Sequence, residues 1–165
     1  MVSNLMILAA SLYLLLTRGA TSWLALTASA ALMGLFWQQS GWHAHDYLHH
    51  QVFKNRAVNR YMGLLIGNVF QGFSVHWWTT KHNTHHATPN ETSNGHAVDP
   101  DIDTLPLLAW DKDMLAQVTD PGFRAMLRLQ HWLFFPLLLF ARMVWAEQSV
   151  EILVRARNVM DRRKW

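Results

Sequence analysis

Two uncharged apolar runs near the start of the chain restrict its architecture more than any other feature. From Asn4 to Leu16 the sequence reads NLMILAASLYLLL, and from Thr21 to Gln38 it reads TSWLALTASAALMGLFWQ. The 18 residues of the second run make roughly 27 Å of helix, close to the ~30 Å of a hydrocarbon core. Trp23 and Trp37 stand near its ends, where amphipathic rings anchor at a membrane interface. The first run is shorter: even from Met1 to Thr17 it gives only about 25 Å. No positive residues precede it, unlike the start of a secretory signal peptide. With Arg18-Gly19 turning the chain in the connector TRGATS, the two runs predict a transmembrane helical hairpin over about residues 4–38.

Composition agrees with that placement. Hydrophobic residues make up 51% of the chain and charged ones 15%, against roughly 25% charged in soluble domains, which favours a membrane-associated class. The mean hydropathy of +0.02 requires a polar portion as well. That portion is residues 39–104, which hold nine of the ten histidines. Within it, Tyr61 to Trp78 is apolar but interrupted by three glycines, Asn68, Gln71 and His76, which predicts a helix lying on the membrane. Residues 89–106 carry three prolines and read as loop. The last apolar stretch, His131 to Val154, contains Pro136, Arg142 and Glu147, so it reads as interfacial or re-entrant. A basic tail follows over residues 155–165, with Arg155, Arg157, Arg162, Arg163 and Lys164; it suits anionic lipid on the cytoplasmic side better than nucleic acid. The fold class is therefore all-α, an integral membrane helical protein.

The chain has no cysteine, so any metal must be held by histidine and carboxylate. In WHAHDYLHHQ, His45 and His49 are four apart and share a helix face, whereas His43 and His50 share another. Asp46 follows His45 and can ligate, or orient a neighbouring imidazole through its second nitrogen. In WWTTKHNTHHATPN, His82, His85 and His86 have the i, i+3, i+4 spacing that gathers three imidazoles on one side of a helix. A lone histidine is usually a hydrogen-bonded surface or core residue, the reading that fits His76, His96 and His131. Two clusters at ligand spacing are another matter. Five imidazoles exceed the need of one tetrahedral zinc, and no His-Glu pair exists for a zincin site, so two metals are implied. Imidazole suits iron, copper, zinc or nickel, and spacing does not choose among them. Asp99, Asp101 and Asp103 lack the glycine and glutamate of a calcium loop and read as turn formers. Trp77-Trp78 and Phe134-Phe135 read as interface anchors or packing rather than as the border of a channel.

HDYLH at 45–49 and HNTHH at 82–86 resemble the first and second histidine boxes of the membrane fatty acid desaturases. GWHAHDYLHHQVF, GFSVHWWTTKHNTHHATPN, DPDIDTLPLLAW and LFFPLLLFARMVW, in that order, resemble the front-end branch that includes Δ5, Δ6 and Δ8 acyl and sphingolipid desaturases. The resemblance covers roughly residues 35–150. It implies transmembrane helices capped by a cytosolic helical region with a histidine-ligated di-iron, non-haem centre, in the endoplasmic reticulum membrane. Carried over, His45, His49, His82, His85 and His86 are iron ligands and Asp46 is the acid of the first box. The implied reaction is O₂-dependent insertion of a cis double bond into a lipid acyl chain, with cytochrome b5 and its reductase supplying electrons. A sphingolipid desaturase or hydroxylase uses the same boxes. The family's third box, Q-x-x-H-H, has no counterpart here, since Gln130-His131 lacks the second imidazole, and there is no His-Pro pair of a cytochrome b5 domain. On that ground the chain is expected to be a partial desaturase domain, inactive alone, or a catalytically inactive partner of a complete enzyme.

Overall fold

The computed structural model describes residues 1–158, which are mostly helical and fall into two compact units, 1–75 and 76 onward. In the first unit, α1 (Val2–Arg18) and α2 (Trp23–Leu48) form an antiparallel hairpin. The connector is short because Ser22 begins α2 at once, its hydroxyl accepting the Ala25 N–H at 3.3 Å. The facing surfaces are polar and small. The Ser11 hydroxyl donates to the Ser29 carbonyl and the Ser29 hydroxyl to the Ser11 carbonyl, each at 2.8 Å, and Asn4 Nδ2 donates to Ser40 Oγ at 2.8 Å. The large apolar side chains point away: Leu16 and Trp23 are each 81% exposed, while Ser11 is fully buried.

The expected hairpin is present, but with other boundaries: α2 runs ten residues past Gln38, carrying one continuous helix into the histidine segment. Among the described residues no helix is long and apolar enough to cross a membrane. Two features explain this. With 17 residues, α1 measures about 26 Å, and the later turns of α2 carry Gln38, Gln39, His43, His45 and Asp46.

The stretch from Tyr61 to Trp78 is not one helix, contrary to expectation. It divides into the end of α3 (Arg56–Leu64), a π-helical segment (Leu65–Gln71) and the start of α4 (Val75–Ala87). Gly72 stops the π segment with a left-handed backbone, φ 69°, a conformation that costs an L-residue with a side chain energy. Asn68 Oδ1 then accepts the Val75 N–H at 2.9 Å. At the other end, Asn55 caps α3, and the buried Asn59 side chain exchanges hydrogen bonds with Phe53 N–H (2.9 Å) and carbonyl (2.6 Å). Gly63 lets α3 lie against the end of α2, since a Cβ there would stand 2.5 Å from Leu48 Cδ2.

In the second unit, α4 is followed by a loop that holds a small antiparallel ladder, β1 (Thr92–Ser93) and β2 (His96–Ala97). Asn94 and Gly95 join the strands, both at positive φ, as a two-residue hairpin turn of this kind requires. Asp111 and Asp120 cap α5 (Lys112–Gln117) and α6 (Pro121–Arg128). The apolar stretch from His131 is broken at Leu139–Phe140 between α7 (Gln130–Leu138) and α8 (Ala141–Asn158). Gln130 ties α7 to the loop before α5, its side-chain amide pairing with both the N–H and the carbonyl of Ala109. Trp77 is buried with its ring 6.2 Å from that of Trp145, whereas Phe135 is exposed. Of the basic tail, Arg162, Arg163 and Lys164 lie outside the described residues.

Candidate metal centre

Each histidine box is set by the helix that carries it. His45 sits in the last turn of α2, and His49 is its C-cap, donating its backbone N–H to the His45 carbonyl at 2.9 Å. The i, i+4 relation therefore survives the helix end, and the two rings lie 4.5 Å apart. Asp46 Oδ1 lies 3.0 Å from His45 Nδ1. His50 leaves the helix with φ 58°, and among the described residues its buried Nδ1 has no hydrogen-bond partner. His43 is half-buried, and burial holds its imidazole below the usual pKa.

On α4 the three expected imidazoles share a face, with ring centroids 4.5 Å (His82 to His86), 5.6 Å (His85 to His86) and 5.8 Å (His82 to His85) apart. Trp78 stacks on His82 at 4.3 Å. The Nε2 atoms of His82 and His86 are 3.0 Å apart. Two imidazole nitrogens bound at ~2.1 Å to one ion, at a right angle, stand about 3.0 Å apart, so this pair fits a shared metal. His96, by contrast, belongs to β2, and His131 lies in α7 against the Trp132 ring.

Asp99 reads as a turn former in the sequence, and the structure gives it more to do. It is fully buried. Its Oδ2 accepts the Asn90 N–H at 2.8 Å and lies 2.9 Å from His85 Nδ1, while Oδ1 accepts the Asp101 N–H at 2.8 Å. Burial pushes this carboxyl upward, but the two backbone donors and the His85 imidazole outweigh it and hold the pKa below the ordinary carboxylate range. Asp101 is the more distant neighbour, 3.7 Å from His85 Nδ1. The only signal in the sequence is an aspartate locked before a proline in the 14-residue interval after His85, and that signal does not name a partner.

Comparison with known proteins places the chain in a family. The chain is 47% identical over 146 residues to an acyl-lipid (9-3)-desaturase of Physcomitrium patens, covering 88% of this chain and 27% of the relative. It is 42% identical to a Delta(8)-fatty-acid desaturase of Euglena gracilis, over 81% of this chain and 30% of that protein. With the Delta(6)-fatty-acid desaturase fat-3 of Caenorhabditis elegans the identity is 41%, over 74% and 28% respectively. The chain thus spans less than a third of the length of these relatives. No solved structure matches it significantly. The sequence profile of the family described as fatty acid desaturase matches residues 21–165, and on this evidence the chain belongs to the fatty acid desaturase family.

Proposed function

We propose that the chain forms part of a lipid desaturase that uses iron and O₂ to place a cis double bond in an acyl chain. The observation that carries this reading is the α4 array, in which two imidazole nitrogens stand 3.0 Å apart beside a third imidazole tied to a buried carboxylate. His45, His49, His82, His85 and His86 serve as ligands to two non-haem iron ions. Asp46 orients His45. Bound iron supplies oxidising power toward unactivated methylenes that no side chain possesses. At His45 and His85 the chain's own carboxylates, Asp46 and Asp99, stand at Nδ1, so that a neutral ring donates there and presents its lone pair at Nε2. Overall, O₂ takes four electrons and four protons, two of each from the C–H bonds, two electrons from an external donor and two protons from solvent, and leaves as two waters. A lipid-borne acyl chain is the proposed substrate, in keeping with the names of the relatives; the proposed electron donor is cytochrome b5 with its reductase.

The hairpin supports a membrane setting. A helix pair in water buries its apolar stripe, but this one buries Asn4, Ser11, Ser29 and Ser40 and turns leucine, methionine and tryptophan outward. Small and polar residues at the helix contact are the pattern expected when the surroundings are lipid. The basic residues from Arg155 onward support a cytosolic position for the histidine segment, proposed here at the endoplasmic reticulum.

The test is expression in yeast of the complete reading frame that contains these residues, followed by mass spectrometry of fatty acid methyl esters. A new double bond is expected, absent with His85→Ala. An unchanged profile from protein shown to carry iron would rule out desaturation.

A further inference from the structure

Three donors meet the Asp99 carboxylate: two backbone N–H groups and one imidazole nitrogen. Backbone N–H groups can only donate, and an ionised carboxylate can only accept. His85 Nδ1, 2.9 Å from Asp99 Oδ2, must therefore carry the proton in this contact, which leaves the lone pair of the neutral ring on Nε2. Asp99 is buried and held by both of its oxygens. Asn90 follows the end of α4 with φ 59°, and its N–H and that of Asp101 grip the two oxygens from either side of the loop. Asp46, 52% exposed in its side chain, has no comparable burial.

We propose that Asp99 is the positioning residue that fixes His85 in its Nδ1–H form and so reserves Nε2 as the metal-facing atom. This rests on the reading of His85 as a ligand, and it adds a residue that neither histidine box contains. Asp101 is excluded from the role by its 3.7 Å distance and its exposure. Asp99→Asn removes the charge and replaces one acceptor oxygen with an amide group that must face an N–H donor. Losing the outer partner of a metal-bound imidazole typically weakens metal binding about 10- to 100-fold.

The experiment has two arms, both on the full 165-residue chain in lipid nanodiscs. In the first, ¹⁵N-histidine NMR of the metal-free chain, with His85 assigned from the spectrum of His85→Gln, reports which ring nitrogen is protonated. Nδ1–H is expected; an Nε2–H ring overturns the proposal without the need for any Asp99 variant to fold. In the second, Co²⁺ is titrated and followed by its visible absorption. Binding by Asp99→Asn is expected to weaken about 10- to 100-fold, with Asp101→Asn matching the parent; equal affinity for Asp99→Asn and parent overturns the proposal. A parent chain that takes up no Co²⁺ while showing Nδ1–H at His85 overturns the ligand reading instead, and so separates the two failures.

Discussion

Asp111 shows how a single carboxylate ties distant pieces of the second unit together. It accepts the Met114 N–H at 2.7 Å, capping α5, and the Thr92 hydroxyl at 2.8 Å, anchoring β1. The Met114 N–H, then the Thr92 hydroxyl, hold its pKa below the ordinary carboxylate value. A group whose folded pKa is depressed stabilises the protein above its unfolded pKa of about 3.9 and loses that contribution as pH falls through the folded value. Asp111→Asn is therefore expected to lower the Tm at neutral pH, with the difference from the parent closing below about pH 3.9 in thermal melts followed by circular dichroism. At the candidate metal centre, His86→Ala breaks the convergent nitrogen pair, and Co²⁺ titration is expected to show binding weakened at least about tenfold. The two histidine boxes were legible because their contacts lie within single helices, where spacing dictates geometry. The Asp99–His85 contact was not, because it crosses 14 residues of helix end and loop that have no period.

At the level of elements, helices were legible where apolar runs were uniform and less so where backbone geometry decides. The sequence between Tyr61 and Trp78 has the apolar content of one helix, yet Gly72 adopts φ 69° and turns the chain. Gly72→Ala keeps the surroundings open, since nothing lies within 4 Å of a Cβ there, and isolates the backbone cost. It is expected to destabilise the chain by about 1–2 kcal/mol in denaturant unfolding. Gly63→Val brings a side chain onto Leu48 at the end of α2, with an expected cost of about 1–3 kcal/mol from overpacking; unchanged stability would show that the α2–α3 contact yields freely. Pro136 marks the same limit of sequence reading from the opposite direction. It lies inside α7, and the interruption falls after it, at Leu139–Phe140.

On the scale of the whole molecule, the distribution of exposed apolar surface matters more than the length of any span. Leu16, Trp23 and Leu24 are about four-fifths exposed, an apolar surface of the kind that marks a protein- or membrane-binding face. Brominated lipids are expected to quench a large share of the Trp23 emission in proteoliposomes, measured as the difference between parent and Trp23→Phe; no difference would place that ring outside the bilayer. Because α2 is unbroken from Trp23 to Leu48, it also works as a ruler. The 22-residue interval from Trp23 to His45 sets the first histidine box about 33 Å along the axis from that ring. One inserted residue raises the box by ~1.5 Å and swings it by ~100°, while seven restore its heading and lift it roughly 10 Å. Height and heading are thereby geared to each other, and length changes in this helix can move the first histidine box along its axis at a kept heading only in coarse steps of whole turns.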